Sequence, residues 1–61
     1  MKITLNGEPA DLPPGSAVAV LAPCAGSAVA VNGSVVPRSA HATRHLEDGD
    51  VVEVVTAVQG G

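Results

Sequence analysis

Sixty-one residues support one domain, and a chain this short buries only about 60% of the surface it exposes when unfolded. Val and Ala supply 21 of its 28 apolar residues and there is no Phe, Tyr or Trp, so a thin core and marginal stability are expected. Three Lys and Arg against six Asp and Glu give a net charge of −3; with no basic surface for phosphates and no aromatic platform for bases, nucleic acid is a poor candidate partner and none is expected.

Ile3 and Leu5 alternate with Lys2, Thr4 and Asn6, the period of a half-buried strand. Asn6-Gly7 marks a tight hairpin turn, because both residues accept positive φ cheaply. The return strand runs from Pro9 to Leu12, with Ala10 and Leu12 on the side of Ile3 and Leu5. Pro9 lacks an N–H and belongs at a sheet edge or strand start. Pro13-Pro14-Gly15 ends this pairing. Ser16 offers an N-cap, and Val18, Leu21 and Ala22 follow at helical spacing, which predicts a helix over 17–22 limited by Pro23. Fewer than two turns do not form alone in water, so this helix has to pack on a sheet.

Val29 and Val31 begin the next strand, Asn32-Gly33 turns it, Val35-Val36 returns and Pro37 cuts it. Arg38 to His45 is small and polar, a loop with one helical turn. Asp48-Gly49-Asp50 makes a third turn, and 51–58 is the longest strand, followed by Gln59-Gly60-Gly61. The order is β-β-α-β-β-β. A right-handed crossover returns the strand after the helix beside the first pair. The expected fold is α+β: a small mixed sheet with one short helix on one face, the ubiquitin-like β-grasp. It forms a single domain over 1–61 with a flexible tail from about residue 58.

No apolar run approaches the roughly 20 residues needed to cross a bilayer, and the N-terminus lacks a signal peptide. One cysteine cannot make an internal disulfide, so a cytoplasmic location is expected. Cys24 itself reads as a small buried hydrophobe. His41 and His45 lie four apart, a spacing that places two metal ligands on one helical face. No third ligand clusters with them and Arg44 opposes a cation, so they read as solvated loop residues and no metal site is expected. Arg38 is open to pairing with an acid of this domain or of a partner.

The chain is too short for a deep catalytic pocket, which favours a carrier, adaptor or binding module over an enzyme. Gly60-Gly61 is the most informative feature. Two glycines remove side chains from the tip, so the backbone can enter a narrow channel of another protein. Four residues, Val58 to Gly61, extend at most roughly 14 Å. A frayed tail without function ends the same way, but a Gly pair directly after the last strand of a β-grasp order is more specific.

Three segments carry a family likeness: Met1-Lys2-Ile3-Thr4-Leu5-Asn6-Gly7-Glu8, then Val29-Ala30-Val31-Asn32-Gly33-Ser34-Val35-Val36-Pro37-Arg38, then Leu46 through Asp48-Gly49-Asp50 to Gly60-Gly61. Over nearly its whole length the chain resembles the ThiS-type sulfur carriers of thiamine biosynthesis, departing from the longer, Leu-rich helix of many relatives at 17–23. The resemblance implies a protein co-substrate. A ThiF-like adenylyltransferase would activate the Gly61 carboxylate with ATP and Mg²⁺. A cysteine desulfurase or sulfur relay protein would then supply sulfur to form a thiocarboxylate, which a ThiG-like thiazole synthase would consume. Gly60 would give flexible approach, and Val58 and Gln59 would line the partner's channel. This chain itself would bind no cofactor.

Glu47, Asp48, Asp50 and Glu53 gather acidic charge around the last strand, close to the tail. They form either a solvated face or a surface that steers the chain to a basic docking site. Other functional readings are a molybdopterin-type sulfur carrier, a β-grasp interaction module with an inert tail, and a protein modifier joined to lysines. The Val-Gln-Gly-Gly ending and the short length favour the thiamine branch.

Overall fold

The computed structural model describes residues 1–22 and 27–56. Five strands form one mixed sheet: β1 (Lys2–Leu5), β2 (Glu8–Asp11), β3 (Ser27–Val31), β4 (Ser34–Val36) and β5 (Val51–Thr56), in spatial order β2-β1-β5-β3-β4. β5 is central, parallel to β1 and antiparallel to β3. Its near-continuous Val run suits that place, because β-branched side chains fit a pleated surface covered by neighbours. The expected return of β3 beside the first pair is corrected here. β3 pairs with β4 and β5, and β5 fills the gap between β3 and β1. A strand over 51–58 was expected; β5 reaches Thr56, and the last two positions lie outside the described residues.

Both Asn-Gly dipeptides make the two-residue turns their chemistry predicts. Asn6 and Gly7 sit at φ 50° and 82°, Asn32 and Gly33 at 51° and 85°. Positive φ at both central positions matches the right-handed twist of the flanking strands and closes each hairpin without splaying it. Pro9 stands opposite Thr4 on the outer strand, where its nitrogen faces away from the ladder and its missing N–H costs no bond.

The core is one-sided. Ile3, Val29, Val31, Val36 and Val52 are buried on one sheet face, and Val18 and Leu46 close over them from the connecting segments. Leu5, Ala10, Leu12, Leu21, Ala22 and Val54 pack around this cluster, consistent with the shared face predicted for Ile3, Leu5, Ala10 and Leu12.

The covering element differs from the expected helix. A 3₁₀ turn spans Val18–Leu21, with Ala17 in extended conformation at its start and no side-chain cap. Ser16 does not cap it; its hydroxyl donates to the Pro13 carbonyl at 2.7 Å. The reason lies in where the first N–H groups go. Val18 N–H donates to the Arg44 carbonyl at 2.9 Å and Ala19 N–H to that of His41 at 2.8 Å. Leu46 N–H donates to the Ser16 carbonyl at 2.9 Å. Strand-like pairing with the 41–46 loop, including an Ala17–His45 bridge, thus satisfies groups that a regular helix start would leave unpaired. Burial of Val18, fully inaccessible to solvent, anchors the turn. The single helical turn expected after Pro37 is present as a second 3₁₀ turn, Arg38–Ala40. Pro23 and Cys24 lie outside the described residues.

Candidate functional site

β5 is the platform from which residues 57–61 continue, and side chains of the two Asn-Gly turns grip it from opposite edges. On the β1 side, Thr4 N–H donates to the Asp50 carbonyl and Asn6 N–H to that of Val52, both at 2.9 Å. Where the β1 backbone turns away, the Asn6 side chain takes over: Oδ1 accepts from Val54 N–H at 2.8 Å and Nδ2 donates to the Val54 carbonyl at 3.3 Å. On the β3 side, Asn32 N–H donates to the Val51 carbonyl at 2.7 Å and Asn32 Oδ1 accepts from Val51 N–H at 2.9 Å. A primary amide mimics a peptide group, so each Asn adds one ladder step after its strand has ended.

The turn before β5 is locked as firmly. Asp48 Oδ1 accepts from Lys2 N–H at 2.7 Å, and Gly49 N–H donates to the Lys2 carbonyl at 2.7 Å. Asp50 is only 9% exposed, with Oδ1 taking the Asn32 amide at 3.1 Å and Oδ2 the Glu47 N–H at 2.8 Å. These carboxylates hold the turn through charge-assisted bonds.

The four predicted docking acids therefore divide. Asp50 points inward and is spent on the fold, while Glu47, Asp48 and Glu53 are exposed. Whether these acids lie close to the tail falls on residues 57–61, outside the described residues; the structure gives only their place along β5. Glu47 and Asp48 precede Val51, so the six residues of β5, about 17–20 Å at strand rise, separate them from its far end. Glu53 alone lies partway along, on the outer sheet face opposite Ala30. Gly61, Gly60, Gln59 and Val58, the residues given the reactive and channel roles, lie outside the described residues.

His41 is corrected as well. It is 8% exposed rather than solvated, with Nε2 donating to the Val36 carbonyl at 3.0 Å. His45 is exposed, and its Nδ1 donates to the Gly15 carbonyl at 2.9 Å. The two rings are engaged with different segments, and among the described residues no group of three His, Cys, Asp or Glu is placed to hold a metal. Arg38 is exposed and forms no ion pair among the described residues. The recess lined by Lys2, Pro9, Ala10 and Asp11 is largely open to solvent and gathers no catalytic constellation.

One surface feature is not anticipated by the sequence analysis above. The sheet face turned away from the core carries Val35, Val55 and Val51 at 74%, 65% and 48% exposure, interleaved with Ala28 and Ala30. Side chains of this size are exposed together where a partner covers them more often than by chance. The signal was available: in Val51-Val52-Glu53-Val54-Val55 the period of two sends Val51, Glu53 and Val55 to the face opposite Val52 and Val54. Val55 is followed by Thr56, the last residue of β5, so the patch reaches the end of the strand.

Comparison with known proteins agrees with this architecture. The ThiS family model matches residues 3–61, through both glycines of the tail. The chain belongs to the ThiS family. Its fold is similar to the crystal structure of a thiamine biosynthesis protein (ThiS) from Geobacter metallireducens, with a TM-score of 0.78, 29% identity and coverage of 100% of both chains. No curated protein sequence matches it. The ThiS-family sheet thus supplies a rigid strand, an exposed apolar face beside it and no helix long and apolar enough to cross a membrane among the described residues.

Proposed function

We propose that this chain is a sulfur carrier for thiamine biosynthesis and acts as a protein co-substrate, not as a catalyst. The observation that carries the reading is a ThiS-family fold in which β5, held on both edges, is followed in the sequence by Ala57-Val58-Gln59-Gly60-Gly61. A ThiF-like enzyme adenylates the Gly61 carboxylate, with ATP and Mg²⁺ as its own reactants and pyrophosphate leaving. The terminal sulfur of a cysteine persulfide on a desulfurase or relay protein then attacks the acyl-adenylate and displaces AMP, giving an acyl disulfide. A second thiol attacks the donor cysteine's sulfur, so that the S–S bond breaks, the thiocarboxylate leaves and the two thiols end as a disulfide. A ThiG-like thiazole synthase takes the sulfur. Gly60 lets the backbone enter the enzyme's channel, with Val58 and Gln59 lining it behind. A β5 already held on both edges leaves less of the carrier to order on docking.

The exposed face of Val35, Val51 and Val55 supports the reading that docking buries apolar surface beside the tail. Val55→Glu is expected to slow sulfur loading about tenfold or more while shifting the melting temperature little, since the side chain is exposed in the free chain. Loading kinetics with a parallel melt check this. The exposed acids Glu47, Asp48 and Glu53 add long-range steering, so added salt slows adenylation, as does the pair Glu47→Gln and Asp48→Asn. Unchanged rates in both arms remove the steering.

The function itself is tested by incubating the chain with ATP, a ThiF-like enzyme and a sulfur donor, then weighing it intact. The expected gain is the difference between sulfur and oxygen. Absence of any adduct leaves an inert interaction module, and lysine-linked conjugates identify a modifier instead.

A further inference from the structure

The Asn32-Gly33 turn combines a chemically labile sequence with a structural position that makes the product costly. Asn followed by Gly cyclises readily, because no side chain shields the glycine nitrogen, and Asn is among the thermolabile residues. A Cβ built at Gly33 would meet nothing within 4 Å, and the same holds at Gly7. Asn32 is the residue whose amide joins the tip of the β3–β4 hairpin to β5 and to the buried Asp50.

We propose that Asn32 is a site of spontaneous deamidation, and that its conversion acts as an irreversible ageing switch that loosens β5 from β3. The Gly33 nitrogen, giving its proton to solvent base, attacks Asn32 Cγ. The new N–C bond forms as the bond from Cγ to Nδ2 breaks, and that nitrogen leaves as ammonia with a proton from solvent. Water then opens the cyclic imide at either carbonyl, giving an aspartyl or an isoaspartyl linkage. One water is consumed, one ammonia is released and no electrons are transferred.

The consequence follows from what Nδ2 touches. It donates to Asp50 Oδ1 at 3.1 Å, and Asp50 Oδ2 is already committed to Glu47 N–H. An oxygen in place of that nitrogen sets two carboxylates against each other at a site where one is only 9% exposed. The isoaspartyl product adds a backbone methylene to a two-residue turn as well. Asn6-Gly7 is an internal comparison with the same dipeptide and the same φ. There Nδ2 faces the neutral Val54 carbonyl at 3.3 Å, so conversion places a carboxylate beside a neutral carbonyl rather than beside another acid.

The full chain is aged at mildly alkaline pH and the amide-to-acid mass change is located by peptide mapping. In parallel, Asn32→Asp, Asn6→Asp and the double variant Asn32→Asp/Asp50→Asn are melted. Conversion is expected at Asn32, and Asn32→Asp is expected to melt about 5–15 °C below the unmodified chain, with Asn6→Asp within about 3 °C of it. The double variant is expected to regain at least half of the loss. An amide at position 50 can donate to the new carboxylate while its oxygen keeps the Glu47 N–H. If Asn32→Asp alone does not fold, the recovery in the double variant still decides. Conversion confined to Asn6, equal melting of the two single variants, or a double variant no more stable than Asn32→Asp would each overturn the proposal.

Discussion

Deletion of Gly61 is expected to lower sulfur loading by at least a hundredfold and leave thermal unfolding unchanged. The reactive carboxylate then sits on Gly60, one residue short, and falls about 3.3–3.6 Å from where an activating site holds it. Misplacement of a reacting group by about 1 Å already costs on the order of 10²-fold, so a retreat several times larger removes the near-attack geometry. The buried cluster is Ile3, Val18, Val29, Val31, Val36, Leu46 and Val52, so shortening the tip removes none of it. Intact mass after incubation with ATP, a ThiF-like enzyme and a sulfur donor reads the first half of this expectation, and a melt of the same sample reads the second. Full loading of the shortened chain would move the reactive group away from the terminus and sink the carrier reading.

The second large effect concerns the core. Val52→Ala is expected to destabilise the fold by about 2–3 kcal/mol, from the lost transfer energy of two methyl-sized groups plus the cavity they leave. Val52 is fully buried in the central strand, beside Leu5 on β1 and Val31 on β3. A 61-residue chain has only about 3–9 kcal/mol in total. The loss is therefore about a fifth of the stability or more, a fall in melting temperature of about 10–20 °C. With no aromatic side chain in the molecule, few neighbours can swing in to refill the space. Val55→Ala, one residue beyond Val54 on the open face, is the matched control and is expected to change stability by no more than about 0.5 kcal/mol. Calorimetry on both variants checks the contrast. Equal effects would mean that the one-sided burial described for β5 is wrong.

These two expectations separate the roles of one strand: its inner face holds the fold together, and its end presents the tail. Under the proposed function the reactive group is the Gly61 carboxylate, which follows the last strand in the sequence, so the domain would have only to be stable and recognisable. Partner binding is expected to raise the melting point by mass action, because only the folded chain offers the apolar face.

Much of the architecture could be read from local chemistry. Ile3 and Leu5 alternate with polar residues, and the Asn-Gly pairs admit one turn geometry, so both hairpins and their registers follow from short-range rules. The tail and the family likeness were equally visible as linear sequence. Local pattern was insufficient at three places. Val18, Leu21 and Ala22 have helical spacing, yet the chain forms a 3₁₀ turn because the carbonyls of His41 and Arg44 accept the first N–H groups. Asp50 and His41 read as solvated polar residues, yet both are buried with partners distant in sequence: Asn32 for one, the Val36 carbonyl for the other. The order of strands hid a central β5, and with it the length of strand that parts Glu47 and Asp48 from Thr56.

By itself the sequence determined the turn types, the strand periods, the small aromatic-free core and the Gly-Gly ending. Each depends on a residue's own conformational preference or on neighbours within a few positions. Only the tertiary structure decided that β5 lies between β1 and β3, that Asn6 and Asn32 hold it from both edges, and that Val35, Val51 and Val55 share an uncovered face. The physical reason is that a side chain's partner across a sheet is set by which strands become neighbours, and that choice minimises exposed apolar area over the whole chain at once.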